Sequence, residues 1–189
     1  MKVAILSGSA RLDNNTIRVA RAIQKELGEG VIVDYRTYDL PNANQESMHK
    51  GNLTEFQTSL VNAIDEAQLL FVLTPEYNWF PSAEIVNTVH QLASNEFRHI
   101  FHDKVAAFVG VSTGRGGRMP AVQLSYVFDK IFNVFNLHSI SSPKKFESQF
   151  TTQCIDEEGV LLDNEAYNQG FKEFVQYSLN VARRWHSNT

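Results

Sequence analysis

Two periodicities alternate along this chain, and together they leave few folds open. Short, nearly continuous apolar runs at Lys2–Ser7, Val31–Tyr38, Gln68–Thr74, Lys104–Val111 and Leu137–Ser141 read as strands buried on both faces. Between them the apolar residues recur at helical spacing. Ile17, Ala20, Ile23 and Leu27 make one stripe, Phe56, Leu60, Ile64 and Ala67 a second, and Ile85, Val89 and Leu92 a third. A fourth runs from Val122 through Val127 and Ile131 to Phe135, and Phe171, Phe174, Ser178, Val181 and Trp185 form the last. Strands that alternate with helices bury their faces as a parallel sheet covered on both sides. The expectation is an α/β three-layer sandwich, a five-stranded parallel sheet of order 2-1-3-4-5 with helices on both faces. Ser142–Asp163 shows neither period and reads as a surface excursion, with a turn at Asp156–Gly159. No Pro/Gly/Ser-rich boundary divides the chain, so residues 1–189 are expected to form one domain.

Composition excludes several classes of function. The formal net charge is −4 with no run of like charge, which argues against nucleic acid as a partner. The single cysteine, Cys154, rules out an internal disulfide framework and any cysteine-rich metal or iron–sulfur site. No apolar stretch approaches membrane-spanning length, and the first residues enter a strand-like run without a signal-peptide pattern. A cytoplasmic location is the expectation.

In a doubly wound sheet of this order, ligands bind beyond the carboxyl ends of the strands where strand order reverses, between strands one and three. The unusual residues fall there. Strand one is followed by Gly8-Ser9-Ala10-Arg11-Leu12-Asp13-Asn14-Asn15-Thr16 and then a helix. A helix start offers unpaired N–H groups and partial positive charge to an anion. Ser9, Asn14 and Thr16 add neutral donors, and Arg11 adds a fixed charge. One of Asn14, Asn15 or Thr16 also has to cap the helix. There is no Gly-Lys-Ser/Thr and no three-glycine fingerprint, so the phosphate expected here is that of a mononucleotide. Strand three runs into Pro75-Glu76-Tyr77-Asn78-Trp79-Phe80-Pro81, a stiff aromatic segment suited to walling a flat ring. Trp79 and Phe80 could instead cover the top of the core or a subunit contact, and for Phe80 alone the two readings weigh equally. Strand four leads to Ser112-Thr113-Gly114-Arg115-Gly116-Gly117, where glycines let backbone approach a ligand.

These motifs resemble the NADPH-dependent FMN reductase family, whose flavodoxin-like members include quinone, azo-dye and chromate reductases. The likeness runs through nearly the whole chain in order and spacing, and Pro75-Glu76-Tyr77-Asn78 is its most specific part. The resemblance implies FMN as cofactor and NADPH or NADH as electron donor. It assigns the FMN phosphate to Ser9, Arg11, Asn14, Asn15 and Thr16. The isoalloxazine border falls to Pro75, Glu76, Tyr77, Asn78 and Trp79, and the ring's pyrimidine side to Ser112, Thr113, Gly114 and Gly117. A small-molecule acceptor would then take the electrons in ping-pong turnover. No side chain is assigned a catalytic role, His90 and His138 included. The chain departs from the family after Asn78: Pro81 comes one place early, and Val86 and His90 stand where lysine and aspartate are usual. Two other readings stay open, a flavodoxin-like electron carrier and a relative that has lost FMN and serves as a binding scaffold. A homodimer or dimer of dimers is expected from the apolar breadth of helices three and four, including Phe128, Ile131, Phe132 and Phe135.

Overall fold

The computed structural model describes residues 1–187. Strands β1 (Val3–Ser7), β2 (Val31–Asp34), β3 (Leu69–Pro75) and β4 (Val105–Val111) lie parallel in the order 2-1-3-4. The fifth position is shared end to end by two short strands. β5 (Ile140–Ser141) pairs with Val105 and Ala106, and β6 (Phe146–Ser148) pairs with Val109, Gly110 and Val111. Among the described residues six α-helices surround the sheet: α1 (Asn15–Leu27), α2 (Glu55–Glu66), α3 (Ala83–Leu92), α4 (Arg118–Val134), the short α5 (Thr151–Cys154) and α6 (Glu165–Trp185).

The strand pleat sorts the core into two layers. Ala4, Leu6, Leu70, Val72 and Phe108 face α2, α3 and α4, whereas Val3, Ile5, Phe71, Leu73 and Val109 face α1 and α6. Aromatic pairs lock both layers: Phe108 meets Phe128 edge-on at 5.2 Å, and Phe71 meets Phe174 at 5.8 Å. Truncating a buried ring such as Phe174 to alanine would cost about 3–5 kcal/mol.

Several sequence expectations are corrected. The second strand stops at Asp34 because that carboxylate accepts the Arg36 N–H at 3.0 Å and turns Tyr35–Thr37 into a 3-10 segment. The fifth strand shrinks to two residues because Asn136 and His138 take left-handed backbone, φ +52° and +46°, which no strand tolerates. The Ser142–Asp163 stretch is more than surface. It contains β6 and α5, and Ser148, Thr151, Cys154 and Ile155 are buried. The α4 stripe is displaced by one or two positions: Ala121, Leu124, Phe128, Ile131 and Phe132 are buried, while Val122 and Val127 are half-buried. Phe128, Ile131 and Phe132 therefore belong to this chain's own core and supply no surface for a second subunit.

Candidate functional site

The loops after β1, β3 and β4 converge at the carboxyl edge of the sheet around a cleft of about 420 Å³. Ser9, Arg11, Asn14, Asn15 and Thr16 line one end, Pro75, Glu76 and Tyr77 one wall, and Ser112 and Thr113 another. Gly8 sits at the root of the first loop. Its N–H donates to the Leu73 carbonyl at 3.0 Å, and a Cβ there would lie 2.5 Å from that same oxygen. Gly8 is needed for close approach to β3, not for a positive φ.

Asn14 is the N-cap of α1. Its Oδ1 accepts the Ile17 N–H at 2.9 Å and its Nδ2 donates to the Arg11 carbonyl at 2.6 Å. Both ends of that amide are used in shaping the loop. Ser9 and Thr16 are different. Their hydroxyls are buried, line the cleft and have no hydrogen-bond partner among the described residues. A buried unpartnered hydroxyl costs about 1–3 kcal/mol, and two beside a helix N-terminus suit an incoming anion. Arg11 reaches across the mouth, its guanidinium 4.9 Å from the Tyr77 ring centre.

The second and third loops are clasped together. The Glu76 carboxylate accepts the Gly117 N–H, and a Cβ on Gly116 would sit within 2.7 Å of that carboxylate. A Cβ at Gly110 would fall 1.8 Å from the Gly117 carbonyl oxygen, so the return of this loop over β4 requires glycine. The Glu76 N–H donates to the Val111 carbonyl at 2.9 Å and the Tyr77 N–H to Phe80 at 3.0 Å. Neither amide is free to meet a ring edge.

The segment after β6 forms the floor. The Ser112 N–H donates to the Ser148 carbonyl at 2.9 Å, and the Thr151 hydroxyl donates to the Ser112 carbonyl at 3.0 Å. The Ser148 hydroxyl meets Tyr167 Oη at 2.6 Å, and burial pushes the Tyr167 phenol above its ordinary range.

Four residues of the sequence assignment lie outside the cleft lining: Asn78, Trp79, Gly114 and Gly117. Gly114 and Gly117 act through backbone, Gly114 by accepting the Phe150 N–H at 3.0 Å. Asn78 and Trp79 occupy the tip of a two-residue turn closed by mutual Tyr77–Phe80 hydrogen bonds of 3.0 Å. Both are left-handed, φ +52° and +73°, as that turn demands. The indole is 69% exposed. Asp13, Arg18 and Thr152 line the cleft without having been foreseen. Arg18 sits four residues after Asn14, a spacing that shares a helix face and could have been read. The Glu157 carboxylate steadies it at 3.2 Å. Thr152 carried no readable signal. His90 borders a separate cavity of about 510 Å³ with Ala10 and Tyr38, and the His138 ring lies tilted by 42° against His102, 5.3 Å between ring centres.

A parallel sheet of this order with helices on both faces and a cleft at the strand ends defines a flavodoxin-like α/β protein, and solved structures agree. FerB, a flavoenzyme NAD(P)H:(acceptor) oxidoreductase from Paracoccus denitrificans, superposes with a TM-score of 0.77 over 97% of both chains at 18% identity. An archaeal flavodoxin superposes with a TM-score of 0.54 over 98% of this chain and 99% of that one at 12% identity.

Residues 1–146 match the NADPH-dependent FMN reductase family, and the chain belongs to it. It is thus an oxidoreductase whose cofactors are FMN and NAD(P)H. An NAD(P)H:quinone oxidoreductase of Solanum tuberosum is 27% identical over 170 residues, 87% of this chain and 84% of the relative. An NADPH azoreductase of Bacillus sp. (strain OY1-2) is 31% identical over 118 residues, 62% of each chain. Among the described residues no helix is long and apolar enough to cross a membrane, and no cluster of three or more His, Cys, Asp or Glu could hold a metal.

Proposed function

We propose that this protein reduces small acceptors such as quinones, flavins and azo compounds by ping-pong turnover, with FMN held in the cleft between the three loops. The observation that carries this reading is the pair of buried, unpartnered hydroxyls at the start of α1. Ser9 and Thr16 donate to the phosphate, the first N–H groups of α1 point at it, and Arg11 and Arg18 supply charge. Pro75 and Tyr77 on one side, with Ser112 and Thr113 on the other, orient the ring system. The Glu76–Gly117 clasp holds those two walls at fixed separation. FMN held there would supply the redox chemistry, hydride transfer from NAD(P)H and electron transfer to the acceptor, while these residues hold and orient it. No acid or base of the chain is required for that exchange.

The likeness to a quinone oxidoreductase and an azoreductase supports the choice of acceptors. Steady-state kinetics with NADPH and a quinone are expected to give parallel double-reciprocal lines. Intersecting lines would reject a shared site for donor and acceptor. Self-association is part of this proposal, through the outer face of α4, where Met119, Tyr126 and Val134 remain exposed. A monomeric mass by light scattering at micromolar concentration would count against it.

A further inference from the structure

We propose that Trp79 is the platform on which a planar acceptor stacks, a specificity determinant for the second half of turnover and not a wall of the FMN cleft. The inference rests on the reading of the cleft as an FMN site and adds to it the residue that selects the acceptor.

Two-residue turns of this kind favour Asn at the first central position and Gly at the second. Asn78 fits the first. The second holds an indole at φ +73°, a backbone region that bulky side chains avoid. Strain of this kind persists only where the surroundings enforce it, and it concentrates at functional positions.

Trp79 is 69% exposed and Phe80 62% exposed, so burial within the chain does not offset the unfavourable backbone. A tryptophan chosen for its contribution to folding would be buried.

Tyr77, at the base of the turn, lines the cleft, and Trp79 follows two residues on, at the exposed tip. The base is fixed on both sides. Glu76 is held by Gly117, and Ser82 is tied by its N–H to Thr74 Oγ1 at 2.9 Å and by its hydroxyl to the Gly8 carbonyl at 2.6 Å. An acceptor that approached the cleft along this turn would meet the exposed indole. Aromatic rings gain from offset stacking, and an exposed, preorganised indole offers it at low ordering cost.

The test is Trp79→Gly in the FMN-loaded enzyme, with glycine chosen because it suits φ +73°. The expected protein folds, keeps its flavin absorbance, and melts no lower than the parent. KM is measured with a planar quinone such as menadione and with ferricyanide, which presents no ring to stack. The ratio of the two KM values is expected to rise about tenfold, the loss of one stacking contact, and Trp79→Phe is expected to restore most of it. A second readout uses the fact that the chain has two tryptophans. In a Trp185→Phe background, Trp79 emission is expected to quench saturably with anthraquinone-2-sulfonate. A flavin-replete Trp79→Gly enzyme with an unchanged KM ratio overturns the platform while leaving the FMN site standing. Loss of flavin, or conversion of a dimer to a monomer with equal loss toward both acceptors, overturns it in favour of a cofactor or subunit contact. Parent protein that takes up no FMN overturns both readings.

Discussion

Replacing Thr16 by valine separates the phosphate site from ordinary structural roles, because it predicts two effects of opposite sign. Thr16 is fully buried at the second position of α1, and its hydroxyl has no partner. Valine keeps the shape and the β-branch and removes only the oxygen. In the flavin-free protein that relieves an unsatisfied polar group, so stability should rise by up to about 1 kcal/mol, or about 2–4 °C in Tm for a chain of this size. In the complex the same change removes a hydrogen bond to a dianionic phosphate, worth about 1.5–3 kcal/mol. FMN affinity should fall about ten- to 150-fold. Titration of the apoprotein by quenching of flavin fluorescence gives the Kd, and a thermal melt of the same sample gives the Tm. Riboflavin, which lacks the phosphate, is the control, and its Kd should not change. An unchanged FMN Kd, or equal weakening of FMN and riboflavin, would refute the assignment. A lower apoprotein Tm would show that the hydroxyl has a structural partner after all. Ser9→Ala should behave alike.

Glu76→Ala should weaken FMN binding by about tenfold and speed amide exchange across Ser112–Gly117, because the Gly117 N–H loses its acceptor; Glu76→Gln, which can still accept, should do neither. Gly110→Ala forces its Cβ against the Gly117 carbonyl and should cost about 3 kcal/mol or more, read as a lower urea midpoint. Burial holds the Tyr35 and Tyr167 phenols above their ordinary value of 10.0. Each is raised in the folded state, so its contribution is complete below that value and is lost as pH rises past it. The urea midpoint should therefore drop above about pH 10, and less steeply in Tyr35→Phe or Tyr167→Phe, each of which also gives up about 1 kcal/mol at neutral pH.

The architecture was legible wherever apolar period alone decides it. The strands around Ile5, Phe71 and Phe108 and the stripes of α2 and α3 follow directly from burial on both faces of a sheet. β6 was not legible, because Phe146-Glu147-Ser148 is too short to show a period and becomes a strand only through the free edge of β4. Topology put the expected site at the strand ends, where the structure has a cleft, and ten of the fourteen assigned residues line that cleft. What each one does there was less accessible. Asn14 and Ser9 are both small polar residues in one loop, yet one is consumed by the helix cap and the other is left without a partner. Glu76 reads as a group facing a ligand and in fact braces a neighbouring loop. Such distinctions depend on which atoms already have partners, and partners come from distant parts of the chain.

The shared fifth position of the sheet sets where this protein can be cut. The family match stops at residue 146, the first residue of β6. A fragment ended there would leave Val109–Val111 with one bare flank, a template for intermolecular pairing. It would also lose Ser148 and Thr151, the supports beneath Ser112. Any chimera that transplants this cleft must carry residues 146 to 154 along with the loops, since the homology boundary and the mechanical boundary of the cleft do not coincide.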